Sequence, residues 1–289
     1  MIAGGAIGGA IAVGKAVKGG ENAPIKIAFV GCGRRARELA DAAMSVPDET
    51  VSIVGLADFF GCQTQSMYRS LKGRYGDRIV SGCIRANGND CLEPINQSDA
   101  DLVYVTTPPV CRPEYFRRLI DAQKHVFLEK PLAADPIGVQ DMVATAKRAA
   151  EDGLSVHVGF QRRFDERYQD IIAEIHAGAI GSPIFARAFC NAGPLRRPKP
   201  VAGENPVEFQ LRNWNHFEWT GGDFLVEQHV AGLDVIRWAL DELPVVAQGQ
   251  GGWKTKNRPD HGDDSADLPH GVFDHHSIEY EFANGVHLI

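Results

Sequence analysis

The chain has no CxxC pair and no grouping of cysteine with histidine at metal-ligand spacing, although it contains six cysteines, Cys32, Cys62, Cys83, Cys91, Cys111 and Cys190. Neither a zinc site nor a dense disulfide framework is supported, and the cysteines read as mostly free thiols. Positive charge is also scarce: 30 Lys and Arg stand against 37 Asp and Glu, a formal net charge of −7. Nucleic acid and anionic membranes, which want a concentrated basic surface, are therefore not expected as main partners. The short basic run PLRRPKP (194–200) reads as a solvated loop. The apolar stretch IAGGAIGGAIAVG (2–14) is too short for a comfortable bilayer span, so stable membrane insertion is not expected. It suits the apolar centre of a secretory signal, although no charged segment precedes it, and a disordered Gly/Ala tail is the alternative. On either reading residues 1–23 stand outside the fold. An exported or periplasmic location follows if the segment is a signal remnant, and a cytoplasmic one otherwise.

What is present points to two domains of ordinary size, since 289 residues with 44% hydrophobic content exceed one small core. The expected division is a first domain over 24–153 and a second over 154–289. IKIAFV (25–30) is a short apolar run of the kind buried in parallel sheets, followed at once by GCGRRA and a helical period in Ala36, Leu39, Ala40, Ala43 and Met44. A second apolar run, VSIVGLAD, ends in Asp58. A glycine motif between strand and helix, with an acid ending the next strand, predicts dinucleotide binding. Gly31 permits the tight turn through Cys32, Gly33 lets backbone approach a pyrophosphate, and the helix N-terminus offers N–H groups to it. Asp58 would accept from the adenosine ribose hydroxyls and repel a 2′-phosphate, favouring NAD. Arg34 and Arg35 leave NADP possible. The alternation continues through DLVYVTTPP (101–109), a helix over 113–123, HVFLEKP (125–131), a helix over 135–150 and SVHVGF (155–160). The class predicted is α/β with a doubly wound parallel sheet. TTPP and EKP fall at carboxyl ends of strands, where ligands of such sheets sit. Lys130 is then a site residue, with an exposed salt bridge to Glu129 as the alternative.

GCGRRA, TTPP, EKPLAAD, GFQRRFD and GGDFLVEQHVAGLDVIRW together resemble the Gfo/Idh/MocA oxidoreductase family, from about residue 25 to the last residue. The chain is most similar to a subgroup of often exported bacterial members whose second-domain helix reads EQHVHNxD. The resemblance implies an NAD(P)-binding Rossmann domain followed by an α+β domain with a mostly antiparallel sheet that often forms the oligomer interface. It also implies hydride transfer at a carbon of a sugar, cyclitol or related polyol. Carried over by position, Lys130 is the lysine that contacts substrate and cofactor and takes part in proton transfer. Thr107 and Pro108, with Glu129, line the cofactor, and Gln161, Arg162 and Arg163 lie near the cleft. Of the two arginines, one is expected to serve a structural ion pair.

The stretch VEQHVAGLDVIRWAL (226–240) reads as one amphipathic helix. At about 100° per residue, Glu227, Ala231 and Asp234 share one stripe, and His229 lies about 160° from Ala231. The resemblance places a histidine at position 231, where this chain has Ala231. The remaining proton relay is Lys130, alone or with Glu227, and His229 reads as a structural histidine. Two other readings stay open: an NAD-using glycosidase or lyase whose cofactor is recycled internally, and a catalytically silent dinucleotide-binding homologue.

The segment 191–222 reads as a cleft-forming loop whose Trp214, Phe217 and Trp219 could stack on a sugar ring or simply pack. Asp274, His275 and His276 invite a metal reading, but neighbours on a strand face opposite ways, so no metal site is assigned. Asn284-Gly285 is a hairpin signal, with only four residues of returning strand after it. A sheet stopped there leaves an unpaired edge, which predicts a domain lacking its last strands, with homo-oligomerisation through that sheet if complete.

Overall fold

The computed structural model describes residues 24–46, 50–193, 201–252 and 272–289. The signal-like segment 1–23 and the basic run 194–200 lie outside the described residues. The chain divides into two compact units, Met1–Gly159 and Phe160–Ile289. That boundary falls later than the expected one, because the strand at 156–158 pairs into the first unit's sheet.

The first unit runs β1 (Ile25–Val30), α1 (Arg34–Met44), β2 (Val51–Asp58), α2 (Gly61–Tyr75), β3 (Ile79–Asn87), α3 (Glu93–Asn96), β4 (Leu102–Val105), α4 (Arg112–Asp121), β5 (His125–Leu128), α5 (Pro136–Glu151) and β6 (Val156–Val158). Every pairing is parallel, in the order β3-β2-β1-β4-β5-β6. Strand order reverses between β1 and β4, and ligands of such sheets bind outside the carboxyl edge at that point. β1 is apolar without alternation because both its faces are buried: Ala28 and Val30 enter one core cluster, Ile27 and Phe29 the other. Phe29, Tyr104, Phe127 and His157 stand in register across β1, β4, β5 and β6, with successive ring centroids 4.7, 5.0 and 5.3 Å apart. The edge strand β3 escapes an apolar-run reading, since IVSGCIRAN buries only Ile79, Cys83 and Ala86.

The second unit comprises α6 (Glu166–His176), β7 (Phe185–Ala186), α7 (Pro206–Arg212), α8 (Glu218–Gly221), α9 (Val230–Leu240), β8 (Pro244–Gly252), β9 (His275–Phe282) and β10 (His287–Leu288). Its sheet has the order β7-β10-β9-β8, antiparallel except for β7 beside β10. Gly285, at φ 82°, makes the predicted turn, and Asn284 Oδ1 accepts from Val286 N at 3.0 Å. α9 lays Leu233, Ile236 and Leu240 on Phe282, Val286 and Leu288. The expectation of one regular α-helix over 226–240 is corrected: Leu225–His229 is a π-helical turn, and α9 begins only at Val230. Asp223 introduces it at φ 71°, with its carboxylate accepting from Phe224 N and, at 3.2 Å, from Phe273 N. One wide turn replaces the uniform angular step on which the stripe was drawn. No helix among the described residues is long and apolar enough to cross a membrane.

Candidate active site

The two glycines of the turn after β1 do different work. A Cβ on Gly31 would lie 2.7 Å from the backbone of Thr106 and Thr107, and the residue sits at φ +90°, so only glycine fits. Thr106 Oγ1 donates to Gly31 O at 2.7 Å and ties the ends of β1 and β4 together. A Cβ on Gly33 would meet nothing within 4 Å, so that glycine keeps open a space that the protein itself does not fill. Gly33 is also the N-cap of α1, with no side chain capping the helix, an arrangement suited to an anion. Asp58 closes the turn, Oδ2 accepting from Cys32 N at 2.6 Å and Oδ1 from Phe60 N at 2.8 Å. An ionised carboxylate has about four acceptor sites, so capacity remains for hydroxyls. Burial pushes the Asp58 pKa above its ordinary value, and the two amide donors pull it back in part. Cys32 takes part through its amide. Burial and the Asp58 charge both push its thiol upward.

At the ends of β4 and β5, Thr107 is buried and its Oγ1 has no hydrogen-bond partner. An orphaned hydroxyl at the carboxyl edge of the sheet fits a polar group of a ligand. Together with the space beside Gly33 and the Asp58 carboxylate, it makes the first unit fit a dinucleotide. Pro108 follows directly, and the Lys130-Pro131 bond is cis. Glu129 is buried: Oε1 accepts from Arg35 Nε at 2.7 Å and Oε2 from Lys130 N at 3.0 Å. Gly159 makes room for this, since a Cβ there would come within 2.9 Å of Glu129 Oε1. Arg35 and Glu129, both assigned to the cofactor from sequence, thus hold each other. Arg34 is exposed, 3.8 Å from Glu38.

Arg112 escaped the sequence reading. Its side chain is buried and donates from Nε to Thr107 O at 2.9 Å, and from Nη1 to Glu129 O at 2.9 Å and to Pro131 O. The available signal was an arginine in the first turn of a helix, where the macrodipole disfavours a cation, immediately after a strand-end motif.

In the second unit, exposed Gln161 and half-buried Arg162 and Arg163 occupy a short 3-10 turn, Gln161–Phe164. Arg163 is the arginine in an ion pair: Nε and Nη2 each donate to an Asp234 oxygen at 2.8 Å, and the guanidinium lies 5.2 Å from the Trp238 ring centre. Glu227 lines a small recess with Asn215, Gly221, Asp223, Phe224, Gln228 and Val272. His229 packs 5.3 Å from the Phe224 ring and 6.1 Å from that of His276, and burial, then His276, lowers its pKa. Ala231 lies in the first turn of α9. Of the three aromatics, Phe217 is buried against Phe209 and is not available to a ligand. Trp219 is 47% exposed, its Nε1 donating to Gln210, and Trp214 is half-buried. His275 is exposed beside Asp274 whereas the His276 side chain is buried, so the two imidazoles point apart. Among the described residues no cluster of His, Cys, Asp and Glu could hold a metal ion.

A parallel sheet with this strand order, a glycine turn at its switch point and an acid ending β2 defines the first unit as a dinucleotide-binding domain. Residues 25–160 match the GFO_IDH_MocA family model, described as oxidoreductase family, NAD-binding Rossmann fold. Curated relatives include the scyllo-inositol 2-dehydrogenase (NAD(+)) of Bacillus subtilis (strain 168), 27% identical over 63% of this chain and 47% of that protein. The inositol 2-dehydrogenase of Acidothermus cellulolyticus is 33% identical over 57% of this chain and 42% of its own length. The chain spans about half the length of the curated relatives it matches. Among solved structures, the myo-inositol 2-dehydrogenase of Lactobacillus plantarum has a TM-score of 0.66 at 21% identity, covering 92% of this chain and 68% of the other. The scyllo-inositol dehydrogenase of Lactobacillus casei, with bound NAD(H) and scyllo-inositol, gives 0.64 at 18% identity, with coverages of 92% and 68%. These structural likenesses establish the fold.

Proposed function

We propose that the chain is an NAD-dependent oxidoreductase acting by hydride transfer on a polyol, with cyclitols such as inositol as the first class to test. One observation carries the reading: Gly33 with its open space, the Asp58 carboxylate, the orphaned Thr107 hydroxyl and the Lys130 loop all stand at the carboxyl ends of the strands around one switch point. Bound NAD supplies the hydride acceptor. Gly31, Gly33 and the first turn of α1 would hold its pyrophosphate, Asp58 the ribose hydroxyls, and Thr107 and Pro108 the nicotinamide side. Lys130 is assigned the proton of the substrate hydroxyl, and Glu227 of the second unit is carried as a candidate carboxylate on the sequence reading alone. Gln161, Arg162 and Trp214 are assigned to substrate, whereas the mutual pairing of Arg163 and Asp234 favours a framework role for both. Export, suggested by the composition of residues 2–14, belongs to the same proposal. So does assembly through the second unit's sheet, supported by exposed Phe185, Val245 and Val246 on its edge strands.

The test is cofactor reduction with inositol stereoisomers and a panel of sugars. Turnover is expected, and Lys130→Ala should lower it by roughly 10²-fold, the scale of losing a positioned acid or base. Ala231 is the observation favouring a different reading: NAD binding with no chemistry on any polyol would identify a silent homologue. Substrate conversion without net cofactor reduction would identify the internally recycled variant.

A further inference from the structure

Arg112 carries a full charge at 3% exposure, so its place in the fold depends on what its donors reach. Those donors take the carbonyls of Thr107, Glu129 and Pro131. The three acceptors lie in the two strand-end loops, and two of them immediately precede and follow Lys130 in the chain. A guanidinium presents its donors in a rigid planar fork, so satisfying it fixes the acceptors relative to one another, which an ammonium on a flexible stem does not do. From the other side, Glu129 Oε2 accepts the Lys130 backbone N–H at 3.0 Å while Oε1 is anchored by Arg35 of α1 at 2.7 Å. The Lys130 backbone is thereby held at its own N–H and at the carbonyls on both sides.

We infer that Arg112 is a positioning residue for Lys130: its buried guanidinium clamps the carbonyls flanking the lysine to the carbonyl of Thr107, presenting the lysine in a single backbone setting at the carboxyl edge of the sheet. The inference rests on Lys130 being the proton-handling group of the proposed reaction.

Amide hydrogen exchange, NAD affinity and steady-state kinetics of the full chain, compared among the wild type, Arg112→Lys and Arg112→Gln, test it. In Arg112→Lys the exchange rate around Thr107 and Lys130 should rise about tenfold or more while the rest of the first unit keeps its protection. The Kd for NAD and the KM for the polyol should stay within about threefold, whereas kcat falls roughly 10- to 100-fold, as expected when a reacting group is held loosely. Arg112→Gln should show the same pattern more strongly. Exchange rising uniformly through the unit, failure of both variants to fold, or unchanged exchange in the two loops would each overturn the inference. If the wild type reduces no cofactor with any polyol, the proposed function fails, and the exchange comparison still decides whether Arg112 holds the loops.

Discussion

Gly31 and Gly33 stand two residues apart in one turn, yet their surroundings differ enough to predict opposite outcomes for the same substitution. Gly31→Ala drives a Cβ into the Thr106–Thr107 backbone at 2.7 Å and requires a left-handed alanine, so a loss of about 2 kcal/mol or more in unfolding free energy is expected by denaturant titration. Gly33→Ala meets nothing within 4 Å and should leave that free energy nearly unchanged. Its effect should appear as weaker NAD binding in calorimetry, because the methyl group would fill the space that the proposed function assigns to the pyrophosphate. Equal NAD affinity in wild type and Gly33→Ala would remove the turn from the cofactor site. Asp58 gives a pH test. Its pKa is raised from 3.8, first by burial, so on acidification the ionised form proposed to accept ribose hydroxyls is lost sooner than for a solvated aspartate. NAD affinity should therefore decline as pH falls, with a midpoint above 3.8, and Asp58→Asn should flatten the profile at a lower affinity. The stability linkage has the opposite sense: a raised folded-state pKa contributes stability that is present below the unfolded pKa and lost as pH rises through the folded one.

The π-turn Leu225–His229 and α9 show how an element can keep its apolar face while its polar positions change neighbours. Leu233, Ile236 and Leu240 still reach the sheet, as the helical period requires. Asp234, drawn by the same period onto a stripe with Glu227, instead spends both oxygens on Arg163. The two side chains are 14–15% exposed, so the pair is largely desolvated and breaking it leaves a buried charge. Asp234→Ala is expected to cost about 2–4 kcal/mol in chemical unfolding, and Arg163→Lys about 1 kcal/mol, since lysine keeps the charge and loses the fork. Unchanged stability in Asp234→Ala would overturn the framework role of the pair. The expected helix failed here for a local reason: a sequence window states which residues are apolar, whereas an extra residue in one turn is set by what Asp223 and its neighbours must satisfy.

For the whole molecule, the cofactor preference is the most direct check, because it depends on the sheet, the turn and the second strand end being assembled together. NAD should bind at least about tenfold more tightly than NADP in parallel titrations, since the carboxylate at the end of β2 repels a 2′-phosphate and Arg35 is engaged by Glu129 instead of standing free to neutralise one. Equal affinity would show that Arg34 or another cation answers the phosphate. The sequence by itself determined the doubly wound sheet, the places of β1 and β2, the Gly31–Gly33 turn, Asp58, the strand-end positions of Thr107 and Lys130 and the Asn284-Gly285 turn. Each of these is written in a local pattern: an apolar run, a turn glycine, or a polar or charged residue at the end of a strand. Only the tertiary structure decided that β3 completes the sheet, that Phe217 is core, that Glu129 turns inward to Arg35, that Arg163 takes Asp234, and that Arg112 grips both strand-end loops. Those outcomes rest on partners many residues away, such as Arg35 and Glu129 at a sequence separation of 94, and a buried polar group is satisfied by whichever distant donor the fold brings within about 3 Å.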